Sequence, residues 1–242
     1  MRIGLVSRTD KEEAIQVTQK IAESLSQHDL YVDTDLQQYI PGDSINSVDV
    51  LIVIGGDGTV LRTVHKYPFP VLSVKMGRRG HLCELNPDEI HIIPDILENP
   101  VMDKRVKLAV SNYGEALNEV VVRGEIPDKA AQFKIEYPGY TGIIEGDGII
   151  VCTPTGSTAY SLAAGGPIIE KGCPTFCITP ICPLDRVYNP RVISNELSIG
   201  IMVLDTPCHI ALDGYNLSTL DEGKSIIVKK SSNYVEFWRK RK

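Results

Sequence analysis

Hydrophobic and polar positions follow alternating strand and helix patterns through the first hundred residues. Apolar runs that end in turn-forming residues predict buried strands at residues 3–6, 31–32, 48–54 and 70–74. Residues 12–25 carry apolar positions mostly at helical spacing behind Asp10, a candidate N-cap, and residues 60–66 predict a second helix before Pro68. Repeated strand–helix units of this kind predict a parallel sheet with helices on both faces.

After residue 100 the pattern changes to short strand-like runs separated by turn residues. These runs predict strands at residues 107–111, 119–123, 133–137, 148–153, 175–180, 197–204, 209–212 and 225–229. The sequence therefore predicts an α/β N-terminal domain with a parallel sheet over residues 1–100 and a mostly antiparallel β domain over residues 101–229. The tail at residues 238–242 (WRKRK) is basic and is interpreted as a solvated end. Phe237 and Trp238 are nevertheless expected to pack.

Composition limits the classes of function. The 242 residues include 25 Lys and Arg against 31 Asp and Glu, a formal net charge of −6, which argues against broad binding to nucleic acid or to an anionic membrane. The longest apolar run is far shorter than the roughly 20 residues that span a bilayer, and the N-terminus lacks the apolar core of a secretory signal. We therefore expect a soluble, cytoplasmic protein.

The six cysteines do not form a recognisable disulfide or metal framework. Three stand alone in apolar segments, and three form a cluster whose spacing differs from that of zinc ligands and that has no histidine nearby. The first three are Cys83, Cys152 and Cys208, and the cluster is Cys173, Cys177 and Cys182. Buried free thiols in a reducing cytosol are expected, and the cluster has no assigned role.

The strongest local signal is the run VIGGDGT at residues 53–59, where a buried strand meets three glycines and an acid before a helix. Glycines let backbone N–H groups approach a phosphate closely, and the helix N-terminus adds positive potential. Asp57 would repel the same phosphate, which suggests that it acts as a base or contacts a metal or a hydroxyl group. The alternative is a tight strand–helix turn with Asp57 as the cap.

Two further segments carry polar groups suited to a nucleotide. Residues 146–167 (GDGIIVCTPTGSTAYSLAAGGP) lead from a strand into small and hydroxyl residues and include Tyr160, which could stack on a base. Asn118 and Glu119 begin an apolar strand, and such a pair can satisfy the edge of an adenine or the hydroxyls of a ribose. The alternatives are a Ser/Thr-rich loop that caps a helix and a polar turn before a strand.

Together these segments resemble the NAD kinase family. The GGDGT loop, the Asn118–Glu119 pair and the stretch TPTGSTAYSLAAGGP occur in the family's order and at its spacing, over about residues 50–230. Further matches lie at residues 77–80 (GRRG), 179–183, 189–191 and 213–214. The long stretch is specific, whereas GGDGT alone also occurs in diacylglycerol and sphingosine lipid kinases. The family fold has an α/β domain and a β-rich, NAD-binding domain, so the resemblance implies that residues 230–242 return to the first domain.

The resemblance implies transfer of a terminal phosphate to the 2′-hydroxyl of the adenosine ribose of NAD, giving NADP. Asp57 would be the catalytic carboxylate at that hydroxyl, able to accept its proton, and Asp147 would meet the nicotinamide side. The adenosine half would be held by Asn118, Glu119, Thr158, Ala159 and Tyr160. The donor phosphates would be bound by Gly55, Gly56, Gly58 and Thr59. The residues implied to contact NAD are Asp57, Gly58, Arg62, Asn118, Glu119, Lys129, Asp147, Thr158, Ala159, Tyr160, Ser161 and Ala163.

The resemblance also implies partners. NAD and a donor, ATP or inorganic polyphosphate, would bind with Mg²⁺ or another divalent cation that is held mainly by phosphate oxygens, so no metal site made of protein side chains is expected. No nucleic acid or membrane is expected, and the chain is expected to form a homo-oligomer, a dimer or a tetramer. Two alternatives are a lipid kinase that shares GGDGT and a non-catalytic NAD-binding regulator. The choice of donor and the preference between NAD and NADH stay open.

Overall fold

The computed structural model of the chain describes residues 1–77, 80–185 and 188–241. The chain divides into two units, of which the first contains Met1–Lys104 and Val235–Lys242 and the second contains Arg105–Tyr234. No helix within the described ranges is long and apolar enough to cross a membrane.

Parallel strands form the sheet of the first unit. Its strands are β1 (Arg2–Ser7), β2 (Asp29–Val32), β3 (Asp43–Ser44), β4 (Val50–Gly55) and β5 (Val71–Lys75), and its helices are α1 (Glu12–Ser24), α2 (Asp57–Lys66) and α3 (Ile93–Glu98). Short 3₁₀ turns lie at Thr34–Leu36 and Pro87–Ile92. The order is β3-β2-β1-β4-β5, every pair is parallel, and Phe237 adds a parallel pair beside Val71. The predicted parallel sheet is confirmed.

The hydrophobic sequence pattern of this unit explains its core. All six residues of β4 are buried, which suits a central strand covered on both faces. Leu5, Ile52 and Leu72 are fully buried on adjacent strands, and Ile21 of α1 and Trp238 pack into the same cluster. The burial expected for Phe237 and Trp238 is therefore confirmed.

Three local predictions in this unit are wrong. The N-cap of α1 is Lys11, without a capping side chain, because the carboxylate of Asp10 instead pairs with Arg8 at 2.6 Å. Helix α2 begins at Asp57, three residues before the apolar pattern starts, because glycine and aspartate carry no hydrophobic periodicity. The basic end is not solvated throughout, since Arg239 and Lys240 form ion pairs with acids distant in sequence.

Antiparallel strands build the second unit. They are β6 (Val101–Val110, which begins in the first unit), β7 (Gly114–Ala116), β8 (Glu119–Gly124), β9 (Ala131–Tyr137), β10 (Tyr140–Gly146), β11 (Gly148–Cys152), β12 (Thr175–Ile181), β13 (Arg191–Ser194), β14 (Ile199–Val203), β15 (Cys208–Leu212), β16 (Tyr215–Leu220) and β17 (Ser225–Arg239, which ends in the first unit). One antiparallel sheet has the order β13-β12-β11-β8-β15-β16, and another run pairs β10, β9, β14 and β17. Phe133 of β9 and Phe176 of β12 are fully buried in one shared core, and the predicted antiparallel β architecture is confirmed.

Strand β11 leads directly into the long polar motif. After Cys152 the chain forms a 3₁₀ turn at Gly156–Thr158 and the short helix α4 (Tyr160–Ala163). Helix α4 contacts β11, so this motif is held against one face of the six-stranded sheet.

Replacing Phe237 should destabilise the first unit. The side chain is fully buried, and Phe237→Ala removes a ring from a packed core, which costs about 3–5 kcal/mol of unfolding free energy. Ile227→Ala, at a half-exposed position of the same strand, should cost at most about 1 kcal/mol. Urea unfolding of the two variants measures the difference, and equal costs would contradict this account of the core.

Candidate functional site

The glycine loop in the first unit connects β4 to α2. A Cβ at Gly55 would lie 2.4 Å from Oγ1 of Thr59, so the strand can approach the helix this closely only with glycine. Gly56 is the N-cap of α2, and its carbonyl accepts the N–H groups of Thr59 and Val60 at 3.0 and 3.1 Å. Gly58 is exposed in the first turn. The loop therefore presents the N-terminus of a ten-residue helix without large side chains over it.

Asp57 is the first residue of α2 and is half-buried. Its two carboxylate oxygens each accept one backbone N–H: Oδ2 from His81 at 3.0 Å and Oδ1 from Leu82 at 2.9 Å. A carboxylate oxygen has two lone pairs, so each retains one for a further partner. Asp57 does not cap its own helix, which excludes the simple cap interpretation, and its carboxylate is held in one orientation by main chain.

A second aspartate organises the segment before β8. The carboxylate of Asp213 accepts the N–H groups of Leu117, Asn118 and Glu119 at 2.7, 2.7 and 3.0 Å. Asp213 has a positive φ of 51° and with Gly214 forms the two-residue turn between β15 and β16. Asp213 thereby fixes the main chain from which the Asn118 and Glu119 side chains project.

Asn118 and Glu119 are buried side chains with unused polar atoms. Each is 7% exposed, and Oδ1 of Asn118 and Oε2 of Glu119 have no hydrogen-bond partner within the described residues. Buried polar atoms are almost always paired, so orphaned acceptors side by side are typical of a ligand site. Burial raises the pKa of Glu119 to about 8, and the charge of Asp213 adds to this shift. Near neutral pH the Glu119 carboxyl is therefore mostly protonated and can donate a hydrogen bond.

The threonine-rich motif packs directly against this pair. Thr153 donates from Oγ1 to the carbonyl of Leu117 at 2.6 Å and from its N–H to the carbonyl of Asn118 at 2.9 Å. A Cβ at Gly156 would lie 2.1 Å from that same Asn118 carbonyl oxygen, so only glycine permits this approach. The structure thus brings two of the three sequence motifs, 117–119 and 153–156, into contact.

The residues that follow differ in their accessibility. Thr158, Ala159 and Tyr160 are half-buried, and Tyr160 packs beside Val121 and neighbouring apolar residues. Ala163 is exposed. Ser161 is fully buried and its hydroxyl lies 2.8 Å from Oγ1 of Thr179, so its side chain faces the interior instead of the surface.

Asp147 and Lys129 lie at the opposite end of β8 from Asn118. The register pairs Cys152 with Glu119 and Gly148 with Arg123, and Asp147 precedes Gly148. Four residues of strand separate the two ends, roughly 14 Å. Asp147 is half-exposed, with its carboxylate 3.9 Å from the Arg123 guanidinium, whereas Lys129 is exposed in the turn after β8. The structure therefore does not group these two residues with the Asn118 pair.

Arg62 is exposed on α2.

Some groups that position Asp57 and the Asn118–Glu119 pair carried no recognisable sequence signal. The backbone of His81 and Leu82 was not predicted to hold Asp57, because main-chain donors leave no trace in residue type. Asp213 was noted only as part of an Asp–Gly match, and that dipeptide signals a hairpin turn, not an anchor. Within the GRRG match, residues 78 and 79 lie outside the described residues.

The cysteines are all free, but they are not all buried. Cys152, Cys177 and Cys208 are buried as expected, whereas Cys83 and Cys173 are half-buried and Cys182 is exposed. Cys182 has a positive φ of 45° in the turn after β12, which places it at the surface. Among the described residues, no three His, Cys, Asp or Glu side chains are arranged to hold a metal ion.

Comparisons with known proteins match both units. Residues 32–100 match the model described as the ATP-NAD kinase N-terminal domain, and residues 117–240 match the ATP-NAD kinase C-terminal domain. The chain is 35% identical to the NAD kinase of Pyrococcus furiosus in an alignment of 260 positions, which covers 99% of this chain and 94% of that protein.

Two further similarities differ in what they cover. The bifunctional NADP phosphatase/NAD kinase of Methanocaldococcus jannaschii is 37% identical in an alignment of 257 positions that covers 98% of this chain but only 45% of that longer protein. The crystal structure of an NAD kinase from Archaeoglobus fulgidus in complex with ATP superposes with a TM-score of 0.84 at 24% identity, covering 99% of this chain and 94% of that one. The latter similarity supports the fold.

Glu119→Gln should alter how stability depends on pH. The pKa of Glu119 rises from 4.5 to about 8 on folding, so the wild type loses stability as pH increases between these values, where only the unfolded chain has released the proton. Glutamine does not ionise and lacks this loss. Urea unfolding across this pH window should therefore show the variant gaining stability relative to wild type as pH rises. Glu222→Gln, at an exposed position, is the control, and parallel profiles for Glu119→Gln and wild type would contradict the prediction.

Proposed function

The chain belongs to the ATP-NAD kinase family, and we propose that it transfers the terminal phosphate of a donor to the 2′-hydroxyl of the adenosine ribose of NAD, giving NADP. It is thus a transferase that uses an alcohol group as acceptor. The match extends through both family domains and over 94% of the length of the NAD kinase of Pyrococcus furiosus. A phosphatase activity such as the one in the name of the longer relative is not part of the proposal, since this chain spans less than half of that protein.

The observation that carries the proposal is the fixed carboxylate of Asp57 at the start of α2. The loop offers glycines and a helix N-terminus, which suit the phosphates of a donor such as ATP. Gly55, Gly56, Gly58 and Thr59 would form that loop. A carboxylate beside phosphates is unfavourable unless it has a partner such as a metal ion or the acceptor hydroxyl, and the proposal assigns Asp57 to the acceptor hydroxyl.

Asp57 would act as the general base. Each of its oxygens accepts one backbone N–H and keeps a free lone pair, so a 2′-hydroxyl can donate to a carboxylate of defined direction. This direction would select the 2′-hydroxyl over the neighbouring 3′-hydroxyl. As the bond between the 2′-oxygen and the terminal phosphorus forms, the bond from that phosphorus to the donor's bridging oxygen breaks, and the shortened donor leaves. The carboxylate takes the hydroxyl proton. Positioning supplies most of the remaining acceleration, because phosphoryl transfer needs little covalent help from a protein.

We propose that NAD binds along strand β8 of the six-stranded sheet. The orphaned acceptor of Asn118 and the protonated carboxyl of Glu119 would bind adenosine, supported by Thr158, Ala159 and Tyr160. Ser161 would contribute through packing alone, since its hydroxyl faces Thr179. Ala163, Arg62 and Lys129 are exposed and would make peripheral contacts. Asp147, roughly 14 Å along β8, would meet the nicotinamide half of an extended dinucleotide.

A divalent cation such as Mg²⁺ would accompany the donor. The described residues offer no cluster of three metal-binding side chains, so they fit a cation carried mainly by phosphate oxygens. When bound, such a cation neutralises charge on the polyphosphate. A panel of ATP, other nucleotides and inorganic polyphosphate, each tested with NAD and NADH, would establish the donor and the acceptor.

Two alternatives are weaker. A lipid kinase shares only the GGDGT loop, whereas the family match here extends over residues 117–240. A non-catalytic NAD-binding regulator would have no use for an oriented Asp57. We further propose a cytoplasmic location, since six free cysteines suit a reducing compartment. A homo-oligomer, a dimer or a tetramer, is proposed from the family resemblance alone. Light scattering would give the subunit number.

Asp57→Asn should abolish most turnover. The purified chain incubated with NAD, ATP and Mg²⁺ should yield NADP, detected with an NADP-specific dehydrogenase. The variant loses the base, so kcat should fall by about 10²- to 10⁴-fold while NAD still binds in a calorimetric titration. Asp43→Asn, an exposed aspartate of the same unit, is the matched control and should keep wild-type kcat. Absence of NADP with the wild type would refute the proposed function, and near-normal kcat in Asp57→Asn would refute the role of Asp57.

Asn118→Ala and Tyr160→Ala should chiefly raise KM for NAD. Both residues are proposed to bind adenosine and neither to touch the transferred phosphate, so uniform binding is lost and kcat changes little. Steady-state kinetics with NAD and ATP varied in turn measures the effect. Should only KM for ATP rise, these residues would belong to the donor site instead.

A further inference from the structure

The side chain of Arg239, near the end of β17, has three hydrogen-bond acceptors in two other segments of the first unit. Its Nη1 donates to the carbonyl of Leu82 at 3.1 Å and to the carboxylate of Glu84 at 3.2 Å, and its Nε donates to Asp103 at 3.2 Å. The guanidinium also lies 4.7 Å from the ring centre of Phe237. With its side chain 12% exposed, Arg239 forms a buried junction and not a surface ion pair.

Arg239 is linked to the carboxylate of Asp57 through the backbone of Leu82. The Leu82 carbonyl accepts from Arg239, while the Leu82 N–H and the His81 N–H are the two donors that hold Asp57. The two contacts at Leu82 involve consecutive peptide groups, so rotation of one disturbs the other. A connected path of hydrogen bonds therefore runs from Arg239 through the main chain to both oxygens of Asp57.

Residues 82–84 are also held by hydrogen bonds to residues other than Arg239. Oγ of Ser73 also donates to the Leu82 carbonyl, at 2.9 Å, and the N–H of Glu84 donates to the Ser73 carbonyl at 3.1 Å. The N–H of Lys240 donates to Glu84 at 3.0 Å. Ser73 anchors residues 82–84 from the side of β5, and Arg239 is the charged anchor from β17. Because a guanidinium is planar and fixed in shape, it can hold its three acceptors in one arrangement.

We infer that Arg239 is a positioning residue that orients the Asp57 carboxylate through the backbone of residues 81–82. The inference rests on the proposed function, in which Asp57 meets the 2′-hydroxyl. Arg239 touches neither substrate in this proposal. Its contribution is to keep two N–H groups in place, so that the lone pairs left on Asp57 point in the reactive direction.

Kinetics of Arg239→Met provides the first test. Loss of the guanidinium should release the Leu82 peptide and lower kcat by about 10²-fold, the scale of a misplacement near 1 Å, while KM for NAD stays within about threefold. Lys240→Met is the matched control, because Lys240 pairs with Glu89 through its side chain and reaches Glu84 only through its backbone. The control should keep wild-type kcat.

Arg239→Lys covers the case in which Arg239→Met fails to fold. Lysine keeps a positive charge beside Glu84 and Asp103 but lacks the planar set of donors. We expect this variant to fold and to show an intermediate fall in kcat at unchanged KM for NAD. Wild-type kcat in folded Arg239→Lys and Arg239→Met would overturn the inference.

A double-mutant comparison separates positioning from general stabilisation. If Arg239 acts through Asp57, adding Arg239→Met to Asp57→Asn should lower kcat by no more than about twofold further, since the oriented base is already missing. A purely structural effect would produce the same fold loss in both backgrounds, and that result would overturn the inference.

Hydrogen exchange keeps this test independent of the proposed function. Amide exchange at His81 and Leu82 should accelerate in Arg239→Met and Arg239→Lys but not in Lys240→Met. If the wild type makes no NADP yet exchange follows this pattern, the proposed function fails and the anchoring of residues 81–82 stands. If the wild type makes NADP and exchange at these two amides is unchanged in both Arg239 variants, the inference fails alone.

Discussion

Carboxylates that accept backbone N–H groups shape both functional segments of this chain. Asp57 takes two such bonds from residues 81–82, and Asp213 takes three from residues 117–119. Hydrogen bonds to an ionised acceptor are roughly twice as strong as neutral ones. A main-chain donor also cannot turn away by rotating a side chain. Each aspartate is therefore locked to a stretch of backbone, and the geometry of both motifs follows from these bonds.

Asp57 and Glu119 lie in different environments. Asp57 receives a donor on each oxygen, whereas Oε2 of Glu119 has no partner within the described part of the chain. Burial raises the pKa of Glu119 to about 8, so this carboxyl can present a proton to a ligand while Asp57 would accept one. Environments that separate the behaviour of two carboxyls are a general means of assigning acid and base roles. Here the difference arises from backbone donors and burial.

Sequence patterns predicted the fold class because the relevant signals are local. Period-two and helical spacing, together with glycine-bounded runs, define the parallel sheet around β4 and the antiparallel strands around β8. The resemblance to a family then named Asp57, Asn118 and Glu119 as site residues. What the sequence could not supply were the partners of these residues. Main-chain donors at residues 81–82 look like any other peptide groups.

Long-range ion pairs were equally hidden from sequence reasoning. The basic residues near the end of β17 matched a solvated tail, because nothing adjacent in sequence shows that Arg239 reaches Glu84 and Asp103. Buried orphan acceptors at Asn118 and Glu119 were also invisible, since the same residue types are common in exposed turns. Local patterns thus define elements, whereas the orientation of a functional group depends on contacts made across the fold.

The Arg239–Leu82 contact joins residues that are 157 positions apart in the chain. Closing so long a loop carries an entropic cost, and contacts of this kind form late in folding. During synthesis the glycine loop and β4 leave the ribosome well before β17, and the whole second unit, Arg105–Tyr234, is made in between. Until β17 has been made, Ser73 can contact the Leu82 carbonyl but Arg239 cannot. A nascent chain that ends before residue 239 would contain the complete glycine motif but would lack the guanidinium contact to the Leu82 carbonyl.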